Sequence, residues 1–211
     1  MKLLLTSSGV NNRSIRAALA EMVNKPASEC KVAMIPTAIN AEGGNKDWYV
    51  GQFINLWRAG YCWIDVVEPG VAPDWKERLA DVDIIFVSGG NTFFLLDQSR
   101  KSGFDKWLKA NMKDKIYIGS SAGSLFATPS IAGAGIGGGD KNLTGIKDLT
   151  GMNLVDFEFM PHVGNGIAMD DVAAYAKTTR NKVYAADDQT AIKVINGKVE
   201  VISEGSWKEF N

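Results

Sequence analysis

Residues 115–126 read KIYIGSSAGSLF, and this segment gives the clearest indication of the fold. It begins with β-branched and aromatic residues, as a buried strand does, and it ends with small residues that suit a helix. Between them lies a G-x-S-x-G pattern formed by Gly119, Ser121 and Gly123. Glycines on either side of the serine allow backbones to pack closely around a tight strand-to-helix turn. We therefore predict that the Ser121 hydroxyl is presented at the carboxyl end of the strand. An ordinary turn of glycine and serine residues that caps a helix would have the same sequence pattern.

Outward from this stretch, the chain alternates between strand-like and helix-like segments. Helical spacing of apolar residues is found at Ile15 and Leu19, and again around Phe53, Ile54 and Trp57. Short apolar runs typical of buried strands cover residues 2–6, 31–35, 62–67, 83–87 and 115–118. This order predicts β-α-β crossovers, and hence a doubly wound α/β fold with a mostly parallel sheet and helices on both faces. In such sheets, ligands bind beyond the carboxyl ends of the strands.

The end of the chain has a different pattern. Residues 190–195 and 198–203 are alternating runs that flank Asn196-Gly197, a pair that suits a two-residue hairpin turn. We expect a C-terminal antiparallel hairpin to complete a single α/β domain over residues 1–211. The glycine-rich residues 129–153 predict a long loop, and loops of that length are often functional.

Composition excludes several classes of protein. The 23 basic residues are balanced by 24 acidic ones, so neither nucleic acid nor an anionic membrane is an expected partner. The apolar run at the N-terminus is too short for a secretory signal or a membrane span, which predicts a cytoplasmic location. One histidine and two cysteines are too few for a structural zinc site, and the glycine pattern at 133–138 lacks a preceding strand, so we expect neither a metal nor a cofactor. The six tryptophans lie singly among apolar residues, which predicts packing roles.

A second motif lies upstream, where the strand-like residues 83–87 run into Gly89-Gly90 and then into a helix-like segment. This arrangement places unpaired backbone N–H groups at the sheet edge that carries Ser121. Such donors can stabilise an oxyanion, although a simple left-handed turn between a strand and a helix would have the same sequence.

His162 is the only histidine of the chain, and it follows the alternating residues 157–160. A lone histidine is more often structural than catalytic. A serine hydroxyl, however, needs a base with a pKa near neutrality to act as a nucleophile. If Ser121 is activated by histidine, His162 must be that base.

A catalytic triad also needs an acid that orients the imidazole. Two candidates, Asp187 and Asp188, follow a short strand-like run after His162. The candidates before His162 are Asp140, Asp148, Asp156 and Glu158. The spacing of these residues does not choose among them.

Three motifs in this order resemble the dipeptidase E (aspartyl dipeptidase) family of serine peptidases, to which cyanophycinase is related. They are VSGGNTF at 87–93, YIGSSAG at 117–123 and Pro161-His162, and the similarity runs over nearly the whole chain. The resemblance implies a class I glutamine amidotransferase-like fold with serine in place of the nucleophilic cysteine.

The resemblance also implies roles for individual residues. Ser121 would be the nucleophile and His162 the base, with the N–H groups of Gly90 and Ala122 forming the oxyanion hole and Asn91 near the substrate. The family's acid, commonly glutamate, falls on Asp188. Aspartate is one methylene shorter, which leaves Asp187 or another carboxylate as an alternative.

Members of this family that cleave after an N-terminal aspartate use an arginine in the helix after the histidine. Residues 168–174 contain no arginine and include Asp170 and Asp171, which would repel an acidic side chain. We therefore expect a serine peptidase that hydrolyses small peptides, as a monomer or a homodimer, without expecting the Asp-X preference.

Two other functions are compatible with these residues. An α/β-hydrolase-like esterase would use an acid that precedes His162, such as Asp140, Asp148 or Asp156. A non-catalytic small-molecule-binding relative would keep the fold without turnover. The position of the carboxylate that contacts His162 separates the esterase from the peptidase.

Overall fold

The computed structural model describes residues 1–211 and contains ten strands and seven α-helices. The strands are β1 (Lys2–Thr6), β2 (Lys31–Ile35), β3 (Trp63–Val66), β4 (Ile84–Val87), β5 (Ile116–Ser120), β6 (Phe157–Met160), β7 (Lys182–Ala186), β8 (Thr190–Ile195), β9 (Lys198–Ser203) and β10 (Trp207–Phe210). The helices are α1 (Arg13–Met22), α2 (Asp47–Arg58), α3 (Trp75–Ala80), α4 (Thr92–Ser102), α5 (Phe104–Asn111), α6 (Ala122–Ala127) and α7 (Met169–Ala176). Short 3-10 turns cover Ala27–Glu29, Thr37–Ala41 and Ala132–Gly138.

The main sheet has seven strands in the order β3-β2-β4-β5-β1-β8-β9. The first five of these strands are parallel to one another, and β8 and β9 add an antiparallel hairpin beside β1. Both the mostly parallel sheet and the C-terminal hairpin are therefore confirmed. Because the parallel strands share a direction, β1, β4 and β5 all end at the same edge of the sheet.

Helices cover both faces of this sheet, and the alternation of β1 shows how the core is divided. Leu3 and Leu5 point into one apolar cluster, which α4, α5 and α6 also contribute to, whereas Leu4 points into the opposite cluster beneath α1 and α2. Burial on both faces explains why the parallel strands are apolar along their whole length. No helix is both long enough and apolar enough to cross a membrane.

A second sheet of three strands, in the order β10-β7-β6, lies beside the main one. Its strands β6 and β7 are parallel, so their carboxyl ends are neighbours. His162 follows β6 by two residues, and Asp188 follows β7 by two residues. This small sheet therefore brings the histidine and the acid to one place.

Helix α2 departs from the sequence expectation. The side chains that α2 buries are Gln52 and Leu56, whereas Ile54 is 43% exposed and Trp57 is 65% exposed. The expectation that all six tryptophans are packing residues was also wrong, because Trp48, Trp57, Trp63 and Trp207 are each at least 40% exposed. Tyr49 and Phe53 are half-buried against the core, so the inner side of α2 combines aromatic residues with the buried polar Gln52.

Candidate active site

Ser121 lies on the turn between β5 and α6, with φ of 50° and ψ of −110°. Positive φ is rare for a residue with a side chain, and strain of this kind is typical of a nucleophile held at a fixed position. A Cβ at Gly119 would lie 2.7 Å from the backbone of Gly123, and a Cβ at Gly123 would lie 2.1 Å from the Val87 carbonyl oxygen. The glycines of the pattern are therefore required by the close approach of three backbone segments.

The imidazole of His162 lies between the serine and a carboxylate. Its Nε2 is 2.9 Å from Ser121 Oγ, and its Nδ1 is 2.6 Å from Asp188 Oδ1. His162 itself has a φ of 62°, and its backbone N–H donates to Ser7 Oγ at 2.8 Å. The structure thus brings together the three residues to which the sequence resemblance assigned the roles of nucleophile, base and acid.

The Asp188 carboxylate is held by several donors besides the imidazole. Oδ1 accepts hydrogen bonds from Ser7 Oγ at 3.0 Å and Ser8 Oγ at 2.9 Å, and Oδ2 accepts one from Asn165 Nδ2 at 2.7 Å. Burial by itself would raise the pKa of Asp188, but the hydrogen bonds from His162, Asn165 and Ser8 outweigh it and hold the pKa well below its usual range. The site therefore keeps a negative charge beside the imidazole.

The donors to Asp188 were not found from the sequence. Ser7 and Ser8 directly follow β1, so they lie at the same sheet edge as Ser121, and Asn165 lies in the turn after His162. The polar run Thr6-Ser7-Ser8 at the carboxyl end of a buried strand was the available signal, because carboxyl ends of parallel strands collect ligand-binding side chains.

The other candidate acids lie elsewhere. The Asp187 carboxylate accepts hydrogen bonds from Gln189 N and Thr190 Oγ1 in its own turn. Glu158 is buried against three side-chain donors on and after α7, and Asp148 pairs with Arg100. Asp156 has no hydrogen bond to the imidazole, and Asp140 lines the cleft but accepts the backbone N–H of Thr92 at 2.7 Å. The carboxylate that contacts His162 therefore follows it in the chain.

Two backbone N–H groups adjoin Ser121. Gly90 has a φ of 124°, and a Cβ there would lie 2.4 Å from the backbone of Ala38, so only glycine fits. Its N–H has no hydrogen-bond partner within the protein. Ala122 begins α6, where the first N–H groups of a helix have no intrahelical partner. The turn that carries Gly90 packs closely on the turn that carries Ser121, since a Cβ at Gly89 would lie 3.3 Å from Ser121 Cβ.

Asn91 is used within the protein. Its Oδ1 caps α4 by accepting the Phe94 N–H at 2.9 Å, and its Nδ2 donates to the Lys141 carbonyl at 3.0 Å. Only 3% of the residue is exposed, and its side chain is not among those that line the cleft. Asn91 therefore connects the start of α4 to the loop that carries Asp140.

A cleft of about 660 Å³ opens above Ser121, and Trp48 is the only hydrophobic residue among the 17 that line it. The ionisable residues in that lining are Glu42, Lys46, Asp140, His162 and Asp188. Burial raises the pKa of Asp140, an effect that its hydrogen bonds with Thr92 only partly offset. No cluster of histidine, cysteine or acidic side chains has the arrangement that a metal ion needs.

A serine on a strained strand-to-helix turn, hydrogen-bonded to a histidine that contacts an acid, defines the serine hydrolases as a class. The sequence model of peptidase family S51 matches residues 3–202. This chain therefore belongs to peptidase family S51, a family of serine-type peptidases, and the resemblance read from its motifs is confirmed.

Curated relatives are consistent with this family. The chain is 32% identical to an uncharacterized peptidase of Listeria innocua serovar 6a over 151 residues, which cover 64% of this chain and 72% of the relative. It is 36% identical to an uncharacterized peptidase of Listeria monocytogenes over 60% of this chain and 62% of that relative. A peptidase E of a Shewanella species is 34% identical over 44% of this chain and only 38% of its own length.

Among solved structures, a crystal structure of a provisionally assigned peptidase E protein from Listeria monocytogenes EGD-e is similar over 97% of this chain and 98% of that one. Its TM-score is 0.82 at 25% identity. A peptidase from an acI-B1 actinobacterium has a TM-score of 0.67 at 18% identity, covering 98% of this chain and 88% of that one, and shares the fold.

Proposed function

We propose that this chain is a serine peptidase of the peptidase E type that hydrolyses small peptides through an acyl-enzyme. The observation that carries the proposal is the continuous contact from Ser121 Oγ through the His162 ring to the Asp188 carboxylate, at 2.9 Å and 2.6 Å. The acid follows the histidine in the chain, which favours the peptidase over the esterase, whose acid precedes its histidine.

In the proposed mechanism, Ser121 Oγ attacks the peptide carbonyl carbon while His162 Nε2 accepts the hydroxyl proton. The tetrahedral intermediate collapses when the C–N bond breaks and the imidazolium returns that proton to the leaving amine. Water then attacks the ester carbonyl carbon while His162 Nε2 accepts one of its protons. The second tetrahedral intermediate collapses when its bond to Ser121 Oγ breaks, and the imidazolium returns the proton to that oxygen, which releases the acid product and restores the enzyme. Asp188 remains ionised throughout and stabilises the imidazolium that forms in each step.

The N–H groups of Gly90 and Ala122 are proposed to donate to the oxyanion of each intermediate. Neither is needed for a hydrogen bond of the fold, so both are available to a substrate oxygen. One such donor typically lowers the barrier by about 3 to 4 kcal/mol. Because Gly90 tolerates no side chain, its N–H is held at a fixed position by close contact with Ala38.

Recognition of the amino terminus of the substrate is proposed to come from Asp140. This largely buried carboxylate lines the cleft and also a smaller cavity beside His162, so it can bind the amino terminus of a substrate. An ammonium group would neutralise a charge whose burial is unfavourable. Asn91 is proposed to act indirectly, as a positioning residue, because its bond to Lys141 holds the loop next to Asp140.

The proposed substrates do not need an N-terminal aspartate. Helix α7 has Asp170 and Asp171 in its first turn and no arginine. An acidic side chain directed toward this helix would meet like charge, which disfavours binding. Neutral and basic N-terminal side chains are expected to be preferred over acidic ones.

The experiment is a panel of dipeptides with acidic, neutral and basic N-terminal residues, assayed with the native chain and with Ser121→Ala. Hydrolysis of neutral members, lost in Ser121→Ala while its unfolding transition is unchanged, supports the proposal. Full activity of Ser121→Ala against the same peptides would refute it. Asp140→Asn should reduce kcat/KM for dipeptides with a free amino terminus. N-acetylated analogues, which bind weakly to both the native chain and the variant, should be hydrolysed by both at the same rate.

A further inference from the structure

Lys46 is the only lysine or arginine among the side chains that line the cleft. It lies immediately before α2, at the end of a loop that also carries Glu42. Glu42 is exposed and makes no hydrogen bond through its side chain, so it can remain in solvent. A lone cation in a cleft that otherwise holds neutral polar groups and carboxylates can bind an anionic group of a substrate.

The Lys46 ammonium retains donor capacity. Nζ donates to the carbonyl oxygens of Gly43 and Gly44 at 2.7 Å and 3.3 Å. An ammonium group has three donors, so one remains for a ligand. The two carbonyl contacts fold the side chain against its own loop, which lowers the entropy lost when a ligand binds.

The start of α2 lies close to the nucleophile. The Trp48 ring and Ser121 Cβ are 3.5 Å and 3.3 Å from the same point, the position that a Cβ of Gly89 would occupy. Lys46 precedes Trp48 by two residues, so it belongs to the side of the cleft that is formed by α2. Asp140 lines the same cleft, and it also lines the small cavity next to Pro161 and His162.

We infer that Lys46 binds the C-terminal carboxylate of a dipeptide and so limits the length of the substrate. This inference rests on the proposed peptidase function. A dipeptide is a zwitterion whose carboxylate lies one residue, about 3.5 Å, beyond the bond that is cleaved. The inference places the amino terminus of the dipeptide at Asp140, its carboxylate at Lys46 and its second residue beside Trp48, so that an acidic and a basic side chain of the cleft each meet the opposite charge.

The test measures binding without turnover, in the Ser121→Ala variant, by titration with Ala-Phe and with Ala-Phe amide. We expect the free acid to bind at least about tenfold more tightly than the amide, since a hydrogen bond to a charged group is typically worth that factor or more. Adding Lys46→Met should bring the two affinities together by weakening only the free acid, whereas Lys46→Arg should preserve the difference. Lys109→Met, an exposed lysine of α5, is the matched control and should change neither affinity.

Equal affinities for the acid and the amide, or a preference that persists in Lys46→Met, would overturn the inference. Parallel rate measurements on chains that retain Ser121 separate it from the proposed function. If Ala-Phe binds with a preference that depends on Lys46 but no dipeptide of the panel is hydrolysed, the peptidase proposal fails and the carboxylate site remains. If dipeptides are hydrolysed and Lys46→Met leaves the ratio of kcat/KM for acid and amide unchanged, only the carboxylate site is refuted.

Discussion

Replacing Asp188 by asparagine tests how the acid works in this site. In the native chain, three groups donate to Oδ1, namely the imidazole and the hydroxyls of Ser7 and Ser8. Only Asn165 donates to Oδ2. An asparagine side chain would therefore place its carbonyl oxygen at the Oδ1 position and its NH2 group toward Asn165, which is exposed and can turn away. The histidine tautomer with a proton on Nδ1 should be retained in Asp188→Asn.

The expected loss then reflects the missing charge rather than a misplaced proton. Two unit charges about 4 Å apart at an effective dielectric constant of about 20 interact by about 4 kcal/mol. The His162 and Asp188 side chains are 32% and 26% exposed, so solvent screens part of this energy. A barrier increase of about 3 kcal/mol corresponds to a fall in kcat of about a hundredfold.

The assay is kcat for the best dipeptide of the panel, measured across pH for the native chain, Asp188→Asn and Asp187→Asn. Asp187 is the matched control because it is the neighbouring aspartate and bonds only within its own turn and to residue 206. Asp187→Asn should lower the free energy of unfolding while leaving kcat nearly unchanged. A loss beyond about ten-thousandfold in Asp188→Asn would indicate the wrong tautomer, and a loss below about threefold would show that Asp188 is not the acid; either result refutes this reasoning.

Three further predictions concern the fold and the support of the site. Gly123→Ala should lower the free energy of unfolding by about 3 kcal/mol in urea titrations, because the added Cβ would meet the Val87 carbonyl oxygen. Gly51→Ala in α2 has open space and should raise that free energy by about 0.5 to 1 kcal/mol, so equal effects of the two variants would contradict the packing argument. Because the pKa of Asp188 is low in the folded chain, its charge stabilises the fold above the unfolded pKa of about 3.9, and this stabilisation is lost as pH falls toward the folded pKa. The native chain should therefore lose more stability between pH 5 and pH 2 than Asp188→Asn, and parallel curves of stability against pH would contradict this. Ser7→Ala removes the hydrogen bonds that the hydroxyl makes with the Asp188 carboxylate and with the N–H of His162, which should lower the free energy of unfolding by about 1 to 2 kcal/mol. We also expect a lower kcat with little change in KM, and an unchanged kcat would exclude a positioning role for this hydroxyl.

The strands of the main sheet could be predicted because their apolar runs are buried on both faces. The runs at 2–6 and 31–35 coincide with β1 and β2, and the hairpin around Asn196-Gly197 coincides with β8 and β9. The pattern around Ser121 also predicted the strand-to-helix turn, since steric demands on glycine are local and therefore visible in the sequence.

The buried face of α2 could not be predicted because part of its inner side borders the polar residues of the cleft. Gln52 is 5% exposed and donates to Ser120 Oγ at 3.1 Å, so a polar side chain occupies a buried position. Apolar periodicity assumes that the polar face points to solvent, and that assumption does not hold where a helix borders a polar cleft. The outer residues Ile54 and Trp57 were assigned to the core for this reason.

The network around Asp188 depends on contacts between residues far apart in the chain. Ser7 is 181 residues from Asp188, and Asn165 is 23 residues from it. No local pattern encodes such pairs, so spacing left several acids open until the second sheet placed β6 beside β7. The choice of Asp188 came from the family resemblance, and the structure adds the donors that hold its carboxylate.

Reaction with a fluorophosphonate determines whether Ser121 is a nucleophile activated by His162. The native chain should gain the mass of one phosphonyl group, located on the peptide that contains Ser121, and should lose activity in proportion. Ser121→Ala and His162→Ala should remain unlabelled under the same conditions, with their unfolding transitions intact. An unmodified native chain, or a label carried by any other residue, would contradict the account.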